Sequence, residues 1–395
     1  MAVEQALQFI ESNEKEIFHL LNRLVDINTY THNKDNVNKA AELIADNLKK
    51  YNIDYTRKKL DEYGDQLIAN IKGAIPGKIL LLGHYDTVHP PNTEKTHKFH
   101  KDETNVYGPG VSDMKAGIVS MIYIAATIKK FGIETCDIEL LFTPDEEYGS
   151  PISRRLIKER AREANAAFIL ESGRPNGEVV TKRKGSAHFN FSINGKASHS
   201  GVAKEKGISA IEELGYKIVE IQKLNDTKKG ISVNIGTIHG GTNSNVVAAE
   251  VNGTIHVGYP TSNDLANVKE QLISIFNTSF IDGTISELKG GEGIPPMEKH
   301  GGVATLFELV QKSAEKLNLN VSEKHEKGAS DAGFVASLGT PTICGMGPVG
   351  GKWHSEEEYL VIDSLIPRFK LLFLSIISAT EEMNKLKNSK GMEVN

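Results

Sequence analysis

Ile79-Leu80-Leu81-Leu82-Gly83-His84-Tyr85-Asp86-Thr87-Val88 is the stretch on which the reading of this chain turns. Four apolar residues in a row, ended by a glycine, predict a strand buried on both faces that stops at a turn. His84 and Asp86 follow at once. Side chains two apart on extended backbone point the same way. An imidazole and a carboxylate therefore share one face at the mouth of a sheet, where open α/β folds place their sites. The pair suits a metal ligand whose second ring nitrogen is held by a carboxylate.

Around that stretch the chain has the composition of an ordinary globular protein. Hydrophobic residues make up 39% and charged residues 25% of 395 residues, enough for a sizeable core and, by length, for two or three domains. The net charge of −5 gives no reason to expect nucleic acid or an anionic membrane as a partner. Cys136 and Cys344 lie in apolar surroundings without metal-ligand spacing and read as reduced thiols of a cytosolic protein. Acidic residues interrupt the N-terminal apolar pattern, so no secretory signal is expected, and no stretch is expected to reach the length of a transmembrane helix.

Upstream, Ala6, Phe9, Ile10, Ile17, Leu20, Leu21, Leu24 and Val25 recur at helical spacing and predict one amphipathic helix over 3–26. A second follows over 36–51, then short strands near Tyr55 and over 66–71. The histidines of the 88–100 loop (His89, His97 and His100) sit among Pro and Lys and are expected to be solvated. Downstream, Gly and Pro at 108–110 introduce a tight turn running into a helix over 116–131, with Asp113 at its start. A buried strand over 137–142 ends in Thr-Pro-Asp-Glu-Glu-Tyr-Gly, which places Glu146 and Glu147 at a strand end. A strand over 167–170 places Glu171 at another. Acidic or imidazole groups thus recur at strand ends or helix starts, which argues for one shared site.

Near Lys184 the texture changes. Residues 188–193 alternate as in a half-exposed antiparallel strand. A β-α-β-β-α-β-like order follows, which suggests a compact α+β, ferredoxin-like domain over 184–296 inserted into an α/β domain formed by 1–183 and 297–395. The returning segment carries Trp353-His354-Ser355 and a long last helix from about 362 to 386; the tail is expected to fray.

His84, Asp113, Glu147, Glu171 and His354 form a candidate set of ligands for two metal ions. Two cations need a bridging anion to offset their repulsion, and Asp113 can supply it. Imidazole with carboxylate oxygens suits zinc, with cobalt or manganese tolerated. Glu146, beside a ligand, is free to act as a base on an activated water.

Six motifs then fall in order along nearly the whole chain: Gly-His-Tyr-Asp-Thr-Val (83–88), Gly-Val-Ser-Asp-Met-Lys-Ala-Gly (110–117), Thr-Pro-Asp-Glu-Glu-Tyr-Gly-Ser (143–150), Leu-Glu-Ser-Gly (170–173), Gly-Lys-Ala-Ser-His-Ser-Gly (195–201) and Trp-His-Ser (353–355) before Glu-Tyr-Leu (358–360). Together they resemble the zinc-dependent metallopeptidase family of glutamate carboxypeptidase, aminoacylase, succinyl-diaminopimelate desuccinylase and bacterial di- and tripeptidases, most of all its carboxypeptidase G branch. The resemblance implies a mixed-sheet di-metal exopeptidase domain carrying a lid and dimerisation domain. It implies one zinc on His84 and Glu171, another on Glu147 and His354, and Asp113 between them. Asp86 would orient His84, and Glu146 would move the proton of the bridging water to the leaving amine. His199 would reach the partner's site in a homodimer and help stabilise the oxyanion. Asn245 resembles a substrate- and oxyanion-contacting asparagine. Ser330 and Asp331 fall in a loop that in relatives lines the substrate carboxylate. A cis Asp113–Met114 peptide bond is also implied.

The activity implied is hydrolysis of an amide bond in a small peptide or N-acyl-amino acid, of carboxypeptidase or dipeptidase type. An N-acyl-amino-acid deacylase and a tripeptide aminopeptidase are the alternatives; Glu171, where aminopeptidase relatives carry Asp, disfavours the latter. A substrate screen with free and blocked N-termini separates them. A catalytically silent binding protein would hold no metal and show no chelator-sensitive hydrolysis. Two departures bear on the substrate. Gly258 and Ile294 stand where relatives that grip a C-terminal carboxylate, or glutamate in particular, have Arg. Losing an Arg fork removes a bidentate carboxylate contact, so the expected substrate does not end in glutamate.

Overall fold

The structure, a computed structural model, describes residues 1–92 and 97–392. The chain divides into two compact units. One comprises Met1–Lys182, Lys299–His325 and Ser330–Asn395; the other comprises Arg183–Glu298 and Glu326–Ala329.

The first unit is built on a six-stranded sheet, in the order Asp54–Lys58, Gln66–Ile71, Cys136–Thr143, Ile75–His84, Ala166–Ile169, Thr342–Ile343. The first two joins are antiparallel and the rest parallel, so the sheet is mixed. Ile79–Leu82 lie near its centre and are fully buried, as an unbroken apolar run in a covered parallel strand should be. The register sets Leu82 beside both Leu141 and Ile169, and His84 beside Thr143. Three parallel strands therefore end at nearly one level, and the residues that follow them emerge side by side. The helices Ala2–Ser12, Glu14–Val25, Lys34–Lys50, Ala116–Phe131 and Leu365–Met392 supply much of the rest of this core.

Several expectations are corrected. The N-terminal segment is two helices, not one. The break falls at Asn13, whose side-chain amide donates to the Phe9 carbonyl and caps the first helix. Among the described residues one helical segment, Val111–Phe131, is long and apolar enough to cross a membrane, against the expectation of none. Its most apolar window is 94% buried inside the fold, so it is apolar all round because protein encloses it. The tail stays helical to Met392; residues 393–395 lie outside the described residues.

The second unit carries a four-stranded antiparallel sheet. Its strands are Gly185–Asn194, Ser232–Gly240, Glu250–Tyr259 and Ile285–Ile294, and in space they run second, third, first, fourth. Helices Ala210–Gln222 and Ser262–Asn277 pack on one face, the second started by a capping box between Thr261 and Asp264. Phe189, Phe191 and Ile193 point into that core, while the alternating His188 and Asn190 are exposed. Gly258 sits opposite Ser232 and Ser186, and Ile294 opposite Ser186.

Candidate metal centre

In the first unit the C-terminal edge of the sheet collects the acidic and imidazole groups. His84 ends strand Ile75–His84 and is buried. Glu146 and Glu147 form a single helical turn just beyond strand Cys136–Thr143. Asp113 lies in an irregular turn before helix Ala116–Phe131, with non-helical backbone angles and a cis bond to Met114. His354 comes from the loop before strand Tyr359–Val361; its φ of 62° is left-handed, and its side chain remains 54% exposed.

The arrangement centres on Asp113. Its Oδ1 lies 3.3 Å from His84 Nε2, and its Oδ2 lies 3.4 Å from His354 Nε2. Each carboxylate oxygen therefore faces a different imidazole. Glu147 Oε2 is 3.1 Å from His354 Nε2, and Glu146 Oε2 is 3.9 Å from His84 Nε2. One ligand atom from each of His84, Asp113 and Glu147 can be chosen so that all lie within 4.8 Å of one another, close enough to share a cation. Two imidazoles and several carboxylates drawn from separate segments are the donor set of a borderline-soft divalent metal. The residues present fit such an ion.

Asp86 braces this group from below. Fully buried, it lies 3.3 Å from His84 Nδ1 through Oδ1. It accepts hydrogen bonds from the Thr31 hydroxyl and from the backbone N–H groups of Glu146 and Glu147. One carboxylate thus fixes both a ring and the turn that carries two acids.

Burial and close pairing shift each of these groups from its ordinary titration range. Burial pushes the Glu147 carboxyl up to about 7. Burial likewise raises Glu146 well above the usual carboxylate range, with the negative charge of Glu171 adding to it. Burial disfavours the His84 imidazolium, but hydrogen bonds to Asp113 and Asp86 outweigh it and leave this ring well above its ordinary value. Hydrogen bonds to Asp113 and Glu147 push His354 up to about 11. Burial also disfavours the Asp113 carboxylate, but the rings of His354 and His84 hold it well below the carboxylate range.

Glu171 is buried just past strand Ala166–Ile169, and its carbonyl accepts from Gly347 N at 2.9 Å. Its charge is felt at Glu146 and Asp331. Ser330 is buried, its Oγ accepting from Ala332 N and lying 3.8 Å from Cys344 Sγ. Asp331 is bonded to Ser150, and burial pushes its carboxyl up to about 8. His199 and Asn245 belong to the second unit. There they are neighbours on adjoining backbone: His199 bridges Val246, and Ser200 N donates to the Asn245 carbonyl. Both side chains are exposed.

The expectation that the histidines of the 88–100 loop are solvated holds for His100 alone. His89 and His97 are buried, and His89 Nε2 lies 3.2 Å from Glu358 Oε2. Thr31, outside the quoted motifs, and Lys115 and Glu358, which lie within them but were given no role there, all brace the centre. Lys115 is buried and donates to the carbonyls of Ile27 and Pro109, holding the turn that carries Asp113. The sequence signals for Glu358 are its place in the Glu-Tyr-Leu motif and before an apolar strand, and neither tells a buried brace from a solvated acid.

The chain is similar to carboxypeptidase G2 of Pseudomonas sp. (strain RS-16), at 27% identity over 366 residues covering 91% of this chain and 88% of that one. It is 26% identical over 306 residues to succinyl-diaminopimelate desuccinylase of Stenotrophomonas maltophilia (strain R551-3), covering 73% of this chain and 80% of that one. The fold matches the crystal structure of aminopeptidase PepT from Bacillus cereus with a TM-score of 0.78 at 23% identity, covering 93% of this chain and 98% of that one. The model of peptidase family M20/M25/M40 matches residues 80–377. The chain therefore belongs to peptidase family M20/M25/M40 and is a metal-dependent peptidase or amidohydrolase.

Proposed function

We propose that the chain hydrolyses an amide bond in a small peptide or N-acyl-amino acid with the help of two divalent ions, zinc first and cobalt or manganese tolerated. The observation that carries this reading is the division of Asp113, one oxygen toward His84 and the other toward His354. His84 and Glu171 would hold one ion, Glu147 and His354 the other, and Asp113 both. When bound, the ions polarise the substrate carbonyl and bring the pKa of a water toward neutrality. Asp86 keeps the His84 Nδ1 proton and so presents Nε2 to the centre. Glu146 accepts the proton of the attacking water and hands it to the leaving amine. His199 is the proposed oxyanion donor and Asn245 a substrate contact, with Ser330 beside the substrate's carboxylate.

A homodimer through the second unit belongs to the same reading. Helix Ala210–Gln222 leaves Ile211, Tyr216 and Val219 exposed, apolar side chains that a second copy would cover. Gly258, where relatives that grip a C-terminal carboxylate have Arg, and Ile294, where the glutamate-specific branch has Arg, favour a substrate that does not end in glutamate. The reading places the enzyme in the cytoplasm, in keeping with two buried cysteines, Cys136 and Cys344, that form no disulfide.

The deciding experiment is Glu146→Gln. Loss of a general base should lower turnover by roughly 10²–10⁴-fold with the ions still bound. Full activity would remove Glu146 from the mechanism. A panel of dipeptides and N-acyl-amino acids with the metal-loaded protein sorts peptidase from deacylase, and a marked preference for glutamate at the leaving end would contradict the substrate reading.

A further inference from the structure

Glu358 is a carboxylate in an unusual place. It is 1% exposed, and its partners are backbone N–H groups rather than a lysine or arginine. Oε1 accepts from Ser112 N at 2.9 Å, from Asp113 N at 2.9 Å and from the Ser112 hydroxyl at 3.2 Å. Oε2 accepts from Gly110 N at 3.0 Å and pairs with His89 Nε2 at 3.2 Å. Burying an ionised carboxylate is costly unless such donors surround it, so this cluster is a built device and not a stray acid.

The topology explains how it arrives there. Strand Tyr359–Val361 pairs with Asn105–Tyr107, Tyr359 opposite Tyr107, so the residue before one strand lies beside the turn after the other. Gly350 seals the far side, where a Cβ would stand 2.4 Å from Ser112 Cβ. His354 precedes Glu358 by four residues. One short stretch therefore carries a candidate ligand of its own and grips the backbone N–H of Asp113, the ligand that faces both imidazoles.

We infer that Glu358 is a positioning residue. Its carboxylate fixes the 110–113 backbone so that the two oxygens of Asp113 face His84 and His354, and it thereby sets the affinity of the centre for divalent ions. This rests on the proposed role of Asp113 as the shared ligand. Glu358→Gln keeps the size of the side chain but turns an amide N–H₂ toward a donor: either Gly110 N or the Ser112 and Asp113 pair loses its acceptor.

The test uses Co²⁺ alone, titrated into the metal-free full chain, with affinity and the visible d–d spectrum read together. Glu139→Gln is the control: Glu139 is buried between Lys78 and Arg160, away from the acidic cluster, so its loss disturbs stability but not the centre. Glu358→Gln should weaken Co²⁺ binding about 10–100-fold, the usual cost of losing a group that orients a ligand, and should alter the spectrum. Glu139→Gln should leave both unchanged. Wild-type affinity and spectrum in Glu358→Gln would overturn the inference and leave the two-ion reading standing. Equal losses in both variants would overturn it as well, since the effect would then be one of general stability. A wild-type chain that takes up no Co²⁺ would remove the two-ion reading and this inference with it. Glu358→Ala, if it folds, should lose more than Glu358→Gln, and a smaller loss would count against the carboxylate.

Discussion

Replacing Asp86 separates what the centre owes to charge from what it owes to hydrogen bonding. In Asp86→Asn the amide nitrogen must take the place of Oδ1 or of Oδ2. At Oδ1 it meets the Glu146 N–H, and at Oδ2 the Glu147 N–H, both donors now 3.2 Å from an oxygen. Either way one backbone donor loses its acceptor, at about 1–3 kcal/mol when water cannot replace it. His84 also loses an ionised partner at 3.3 Å. These groups share one network, so the costs do not simply add, and about 2–4 kcal/mol is expected for the metal-free protein. Asp86→Ala strands both N–H groups, leaves the Thr31 hydroxyl only its 3.4 Å bond to the Thr87 carbonyl, and should cost more than Asp86→Asn. Urea unfolding in excess chelator measures this, with an unchanged m-value as the check on two-state behaviour. Divalent-ion affinity should fall about 10–100-fold in the same variant, because the ring is no longer held. An Asp86→Asn protein with wild-type unfolding midpoint and wild-type ion affinity would refute the claim that these oxygens hold His84 and the 146–147 turn.

Three further outcomes are expected. With no ion bound, hydrogen bonds to carboxylates favour protons on His84 and His354, the latter pushed up to about 11, and burial favours one on Glu147, pushed up to about 7. A divalent ion must displace them. Binding at pH 7 should therefore release about two to three protons, and affinity should rise with pH; calorimetry in buffers of different ionisation enthalpy reads the number, and zero release would contradict the assignment. The sign for folding is the reverse. Glu147 and His354 both bind protons more tightly when folded, so their contribution to metal-free stability is lost as pH rises, through about 7 for Glu147 and about 11 for His354. Gly117→Ala would place a Cβ 2.1 Å from the Leu170 carbonyl oxygen, which is backbone and cannot swing aside. It should cost about 1–3 kcal/mol by overpacking and shift the neighbouring Glu171, and an unaltered urea midpoint would refute the contact.

What could be read before any coordinates was whatever the local pattern over-determines. Ile79–Leu82 had to be a covered parallel strand because no exposed strand tolerates apolar residues on both faces. Helix Ala116–Phe131 was legible from the Gly-Pro-Gly turn ahead of it, and it stops at Gly132, where φ is 57°. Strand Ile285–Ile294 was not, since Gly290, Gly291 and Gly293 erase its alternation and its register slips between Gly290 and Glu292. The break at Asn13 was hidden because the apolar spacing carries on across it.

The site divides along the same line, for a physical reason. Residues that meet a ligand are set by chemistry, so imidazoles and carboxylates at strand ends reveal themselves by type and place. Residues that hold those ligands are set by geometry, and their partners are backbone groups that every sequence possesses. Glu358 binds N–H groups about 250 positions away, and nothing in Gly110, Ser112 or Asp113 advertises the need. The same remoteness misled the reading of His89: a histidine among Pro and Lys looks solvated until the carboxylate that buries it arrives from 269 residues down the chain. Since such a brace acts only through the ligand it holds, losing it should change how tightly the centre binds an ion before it changes what the centre can do with one. Ion affinity, more than turnover at saturating metal, is therefore the quantity in which Asp86 and Glu358 should show themselves.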